Sequence, residues 1–570
     1  MIPDEKKPIP WGLPPLAAPA SVGTTYCAEP AGKHRGGYEP LEPAGVATTY
    51  CAERKSERKG GYEPLEPAGA GQRARRAQCG QMVALVCGLA LACGGLLYAA
   101  VSAATCPMLG GRSAAAVPAA TRRAVEGLLA AGLDGSNTVA WDRLAEMTDL
   151  YGPRMTGSDA YDRSARWVVD TANAQDGGLA ARTEPVWVNA WQRNGESLRL
   201  LAPTRPGGGV DVGVLGLGNS VGTGPGGIEA DVVPVRSFEE LARLGNATVA
   251  GKVVLFNFAF TTYAEAARFR ARGAAEAERF GARAVLVRTL APDSSFASVH
   301  TGSSVRAAIP AASVSLADAN LIERMYRRAA AGLPGHAAPR VRLVMNAQLR
   351  EHARESANVV IDLRGTDLAD EVVLLSGHFD SWDVGVGAMD DGAGAFLAWE
   401  ALRLIAAAGR PPRRTVRAVM WNNEETLQLG AKAYFARHRA EIPKHRFAVE
   451  SDIGVFEPWG LTVAAPDDVV CRLSDYGSSL LRPLGAGNVT LSTAGAPGAD
   501  ISILCSHGVP CAGFLSLNPE NGAAPGEPHW EDHYFRHHHA ASDRIEAIDK
   551  HQLRRSAAAL AAWAYLIADT

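Results

Sequence analysis

The stretch Val372-Val373-Leu374-Leu375-Ser376-Gly377-His378-Phe379-Asp380 decides how this chain is read. An apolar run predicts a strand, Gly377 closes it, and His378 and Asp380 follow at its C-terminal edge. In open α/β sheets such edges are where ligand sites form. His378 is a candidate metal ligand, with Asp380 accepting its other ring N–H. The same pair also suits an ordinary surface turn, so its neighbours must decide.

Twelve residues after His378 comes Met389-Asp390-Asp391-Gly392-Ala393-Gly394, followed by an apolar helix to about Ile405. Adjacent aspartates at a helix start can cap it and complement its dipole. A helix has one cap position, however, and a second carboxylate there is well placed to bridge two cations. A further predicted strand, Val416–Trp421, runs into Asn422-Asn423-Glu424-Glu425. Paired glutamates suit metal-assisted hydrolysis: one holds metal while the other takes a proton from water and passes it to the leaving amine. The Phe447–Ser451 strand ends in Asp452, and His537-His538-His539 precedes Asp543. Three strand ends thus deliver His, Asp or Glu, and a histidine cluster follows. Nitrogen and carboxylate donors without thiolates match a hydrolytic zinc site rather than a structural one. There are enough of them for two metals.

Ser376–Gly385 together with Ala388-Met389-Asp390-Asp391-Gly392 resembles the signature of the carboxypeptidase Q family, co-catalytic di-zinc metallopeptidases. Tyr151–Ser158, Val299-His300-Thr301-Gly302 and Glu450-Ser451-Asp452 resemble other segments of that family, so the likeness covers roughly residues 120–568. The resemblance implies an α/β, three-layer exopeptidase domain with a mixed central sheet, interrupted by a β-rich protease-associated domain. It implies that Asp390 bridges two zinc ions, with Glu425 and His539 completing one and His378 and Asp452 the other. Glu424 would be the general base and Asp380 would orient His378. His539 is taken from the triplet because the family places its ligand four residues before an Asp, here Asp543. Substrates would be dipeptides or short peptides with a free N-terminus, and a homodimer is an inherited expectation. The chain departs from the family at Thr426–Gly430, at Ala540–Arg544 and in the Asn518–Glu531 loop, which bears on specificity more than on catalysis.

Outward from this centre, helix-like segments are expected at Arg122–Leu133, Ser164–Ala174 and Tyr263–Phe280, and further strands at Val253–Phe258 and Ala284–Val287. The peptidase domain is expected over 121–200 and 345–570, with 201–344 inserted. Met82–Ala104 runs 23 residues without a charge, long enough to cross a bilayer. Arg73, Arg75 and Arg76 precede it, so the positive-inside rule keeps the N-terminus cytosolic and places the body in the lumen or outside the cell, a type II topology. Small residues at Ser102-Ala103-Ala104 leave cleavage and secretion as the alternative. Residues 1–81 carry two copies of a 24-residue unit, Thr24–Glu29 with Gly36–Gly45 recurring as Thr48–Glu53 with Gly60–Gly69. Two copies poor in branched apolar residues predict a disordered tail, joined by a linker at 105–120. Tyr38-Glu39-Pro40-Leu41 and Tyr62-Glu63-Pro64-Leu65 also have the form of tyrosine sorting signals.

The 570 residues carry 57 Lys+Arg against 60 Asp+Glu, a net charge of −3 that excludes nucleic-acid binding by bulk positive charge. Nine cysteines in that length exclude a disulfide scaffold. Cys505 and Cys511 are spaced to close a small loop, or to remain two buried thiols. Asn246 and Asn488 begin glycosylation sequons that fit a lumenal body. Two rivals stand beside the dipeptidase reading. One is an aminopeptidase on longer peptides. The other is a transferrin-receptor-like binding protein that has lost catalysis, which retention of all five ligands and Glu424 disfavours.

Overall fold

The computed structural model describes residues 117–202, 209–350, 352–493 and 495–570. The tail repeats, the 82–104 span and residues 105–116 of the linker lie outside the described residues. Among the described residues no helix is long and apolar enough to cross a membrane.

One eight-stranded mixed sheet runs in the order Leu179–Val188, Arg354–Leu363, Arg414–Trp421, Leu368–His378, His445–Glu450, Cys511–Ser516, Pro458–Ala464, Asn488–Leu491. Its middle four strands, Arg414–Trp421 through Cys511–Ser516, are mutually parallel. Strand alternation divides the core between two faces. Val373 and Leu375 pack with the Ala393–Ala407 and Lys550–Asp569 helices, while Val372 and Leu374 pack with Ala431, Tyr434 and Ile501 on the opposite face. Helices on both faces make three layers, as expected for a sheet with a parallel centre. Each strand and helix predicted from the sequence forms, with ends shifted by a few residues. The Val372–Ser376 strand extends to Leu368–His378, which makes His378 the last strand residue.

A second eight-stranded sheet is built from residues between Glu196 and Met345. Strands Ile228–Val235, Val253–Phe256, Ala284–Arg288 and Ala311–Val314 are parallel in sequence order. Parallel neighbours need crossovers: helices Phe238–Val249 and Tyr263–Glu278 supply the first two, residues 289–310 make the third without an α-helix, and Leu316–Ala330 returns the chain to the antiparallel strand Arg340–Met345. The inserted segment is therefore α/β, not the β-rich unit expected from sequence. Ser237, Thr262 and Ser315 each cap one of these helices through a side-chain oxygen. The segment leaves and re-enters the first sheet at one place, where Val188 pairs with Arg354 at the end of a ten-residue antiparallel ladder.

Cys505 and Cys511 are joined by a disulfide, Cα–Cα 5.8 Å, at the start of the Cys511–Ser516 strand. Of the two alternatives open in the sequence, the bridge is the one found.

Candidate metal centre

The C-terminal ends of three adjacent parallel strands converge. His378 ends its strand, Glu424 and Glu425 follow Arg414–Trp421, and Asp452 follows His445–Glu450. Gly377 lets the next helix start come close: a Cβ there would lie 2.4 Å from Asp391 Oδ2 and 2.5 Å from Ala395 N. Only glycine leaves room for that approach.

The two adjacent aspartates divide their work. Asp391 accepts the N–H groups of Gly394 and His378, each at 3.1 Å, so it ties the helix start to the strand end. Asp390 is left to face the site. Its Oδ1 lies 3.2 Å from His378 Nε2, and its Oδ2 lies 3.4 Å from His539 Nε2. Asp452 Oδ1 is 3.3 Å from His378 Nε2, and Glu425 Oε2 is 2.9 Å from His539 Nε2. All five ligands expected from the sequence are thus assembled, in two groups that meet at Asp390. His538 joins the second group, Nε2 3.7 Å from Asp390 Oδ2, its ring stacked on His539 at 3.6 Å. The triplet hid this, because spacing to Asp543 selects one histidine only.

These residues fit a zinc site on their own chemistry. Donors are imidazole nitrogens and carboxylate oxygens, and Glu425 Oε1 is buried with no partner. Burial, reinforced by the charge of Asp452, pushes Glu424 up to about 8. Burial and Asp390 lift Glu425 well above the usual carboxylate range. Burial alone would also raise Asp390, but His538, His378 and His539 draw it down. So many carboxylates in one dry place call for cations.

Asp380 accepts the other ring N–H of His378, as expected, but through its main chain. His378 Nδ1 donates to the main-chain carbonyl of Asp380 at 2.9 Å, whereas the Asp380 carboxylate is 4.0 Å away. That carboxylate instead accepts the Glu424 N–H at 3.1 Å and fixes the backbone of the expected base. Asp380 is only two positions beyond the ring, and the turn after the strand brings its carbonyl closer than its side chain.

Several supporting residues carried no role in the sequence reading. Arg154, fully buried, donates to the carbonyls of Phe379, Val386 and Gly387 at 2.7–2.8 Å, bracing the loop between His378 and Asp390. Burial lowers its guanidinium to about 10, with Asp543 and Asp380 opposing, so it keeps its charge. Thr156 donates to Asn422 at 2.6 Å and anchors the glutamate turn. The Asp543 carboxylate accepts the Met389 and Asp390 N–H groups at 2.7 and 3.2 Å. Tyr534 donates its hydroxyl to Asp390 Oδ1 at 3.1 Å. The signals available were the quoted Tyr151–Ser158 segment and the Asp543 spacing.

The inserted sheet reaches the site through Val299–Gly302. His300 and Ala540 form an antiparallel bridge, the Thr301 N–H donates to His539 O at 2.9 Å, and His539 Nδ1 donates to Thr301 O at 3.3 Å. Arg193 ties this loop, through Thr301 Oγ1, to Asp383. A cavity of about 700 Å³ opens over Asp390, Glu424, Glu425 and Asp452, walled by Tyr263, stacked on Phe535 at 4.5 Å. Of the two sequon asparagines, both exposed, Asn488 donates its Nδ2 to the carbonyls of Trp459 and Gly485, while Asn246 makes no such bond.

Residues 358–564 match peptidase family M28. The chain is 36% identical to carboxypeptidase Q of Bos taurus over 435 residues, 75% of this chain and 85% of that protein. It is similar to the crystal structure of a peptidase M28 precursor from Shewanella amazonensis, with 28% identity and a TM-score of 0.69, covering 79% of this chain and 97% of that one. A zinc aminopeptidase from Bacillus subtilis shares the fold at TM-score 0.55 and 18% identity, over 75% of this chain and 96% of that one.

Proposed function

The chain belongs to the carboxypeptidase Q-like members of peptidase family M28, and from that premise we propose a two-zinc exopeptidase that hydrolyses dipeptides or short peptides with a free N-terminus. The observation that carries this reading is Asp390, whose two oxygens face separate histidines, with Glu424 beside them in one cavity. His378 and Asp452 would hold one ion and His539 and Glu425 the other, with Asp390 between. Zinc so held supplies Lewis acidity toward the scissile carbonyl and toward water.

The chain's own residues do the rest. Glu424 takes the proton of the attacking water and delivers it to the leaving amine. Positive charge beside it draws its value of about 8 toward neutrality, where one group can both take and give a proton. Asp380 holds the Glu424 backbone, and Asp543 and Asp391 hold the turn that aims Asp390. The inserted α/β segment stands as the protease-associated unit of this group and shapes access to the cavity.

The body is placed in the lumen or outside the cell, anchored through Met82–Ala104. The uncharged run, the basic residues before it and the Cys505–Cys511 bridge, which suits an oxidising compartment, support that placement. Incubating zinc-loaded protein with dipeptides and with longer peptides, and reading products by mass spectrometry, tests the activity. Free amino acids from dipeptides, lost in chelator and restored by zinc, are expected. Stepwise trimming of long peptides with dipeptides left intact would replace this reading with the aminopeptidase one.

A further inference from the structure

The histidine triplet ends a longer spacing, because His533 stands four residues before His537. Both lie on the helix Asp532–His537. Glu531, Tyr534, Phe535 and His538, spaced i, i+3, i+4 and i+7, line the catalytic cavity. His533 and His537 do not. His533 instead lines a separate cavity of about 570 Å³, with Phe456 and Glu546. One turn of helix thus serves the catalytic centre on one side and presents a histidine pair on the other.

The pair has the dimensions of a chelate. Its ring centroids are 5.2 Å apart and the ring planes meet at 60°. Two imidazoles on one tetrahedral zinc, with bonds of about 2.0–2.1 Å, hold their centroids about 5 Å apart. Histidines at i and i+4 reach that arrangement on an ordinary helix. The nitrogens are also sorted. His537 Nδ1 donates to the carbonyl of Ser542 at 3.2 Å, which leaves the lone pair on Nε2. His533 Nδ1 lies 3.2 Å from Glu520 Oε1, close enough to hold the ring hydrogen on that side, although the direction is poor for a hydrogen bond. A metal-binding imidazole needs this division, one nitrogen held by an oxygen and the other free. Phe456 meets the His533 ring edge-on at 5.1 Å and limits its swing. Arg536 stands between the two histidines in the chain and opposes a cation, but Glu520 takes both its Nη1 and its Nη2.

We propose that His533 and His537 bind a further transition-metal ion, zinc or copper, outside the catalytic centre, with water completing its coordination. Imidazole suits both metals. The ion clips one turn of the segment that carries the Tyr534 hydroxyl to Asp390 and runs on into His538 and His539. Its occupancy firms a support of the catalytic centre without entering it, whatever peptide that centre cleaves.

Equilibrium dialysis of the full chain against rising free Zn²⁺, read by elemental analysis, tests this. The wild type should bind one ion more than His533→Asn/His537→Asn, and bind it more weakly than the catalytic zinc. Either single substitution should remove that ion, with turnover at low free zinc unchanged. The quantity read is the difference between wild type and variant, so the number of ions in the catalytic centre does not disturb it. Glu520→Gln, which leaves both rings in place, should weaken the extra ion by about 10–100-fold, as loss of an outer partner does. Should the histidine variants fold poorly, one equivalent of Cu²⁺ added to the zinc-loaded wild type gives a second reading. Its electron paramagnetic resonance spectrum should carry hyperfine splitting from two imidazole nitrogens, and a spectrum without them would overturn the proposal. Equal metal content in wild type and double variant would overturn it too. So would a double variant that lost its ion and its turnover together at saturating zinc, since the pair would then belong to the catalytic centre.

Discussion

The two ends of the central parallel strands use the same residue types to opposite effect. At their start, Glu371 accepts from Arg414 at 2.6 Å and from Arg446, and Asp367 is paired with Arg413. Arg446 and then Arg414 hold Glu371 down to about 2. At their finish, burial and neighbouring carboxylates push Glu424 up to about 8 and Asp543 up to about 7. One sheet thus carries satisfied acids at one edge and frustrated acids at the other. The frustrated edge marks the functional site, since a fold has no structural reason to crowd unpaired carboxylates.

The sharpest way to break this contrast is at the frustrated edge. Glu424→Gln should lower kcat by about 10²–10⁴-fold, the range for a general base, with zinc content unchanged by elemental analysis. Retained turnover would remove Glu424 from its role. Asp543→Asn should weaken zinc binding by about 10–100-fold in competition with a chelator, because it disturbs the amides that aim Asp390.

Smaller effects are expected at the strand starts. His445 is buried there, its Nε2 accepting from Tyr434 at 2.9 Å, and burial lowers it to about 4. Its folded value lies below its unfolded one. The stability it contributes is therefore complete above about pH 6.5 and lost as pH falls toward 4, on the order of 1–3 kcal/mol. His445→Phe should flatten the fall in Tm across that window. Glu371→Gln should cost under about 1 kcal/mol near neutral pH, as partly exposed ion pairs do. The folded Glu371 value is depressed, so the wild-type advantage should fade as pH drops from about 4.5 toward 2. A large loss at pH 7 would show that the satisfied edge does more than balance charge.

Legibility in the sequence followed chain locality. The three strand ends could be read because each is an apolar run with its acid or histidine directly attached. His539 could be chosen because its ligand spacing is local. What stayed hidden depends on pairs far apart in the chain: Arg154 meets Phe379 across 225 positions, and Arg270 meets His539 across 269. Which atom of Asp380 takes the His378 N–H was hidden for the opposite reason. At two residues' separation, a main-chain carbonyl and a side chain compete for the same N–H, and pattern alone does not say which is nearer. The inserted segment was read as β-rich, although a helix pattern at Tyr263–Phe280 was visible. Only the parallel order of its strands, which helices Phe238–Val249 and Tyr263–Glu278 connect, accounts for its helical layer.

The ten-residue ladder between Leu179–Val188 and Arg354–Leu363 has a mechanical consequence. Both crossings into the inserted segment leave the same end of that ladder, so the segment rides on a stiff two-rail stalk. Such a stalk yields to twisting more readily than to sliding. The inserted segment is held to His539 a second time at Thr301, by a main-chain bond and the His300–Ala540 bridge. Any rotation that widened the mouth of the cavity would pull on a ligand, making entry of substrate and alignment of the centre a single coordinate.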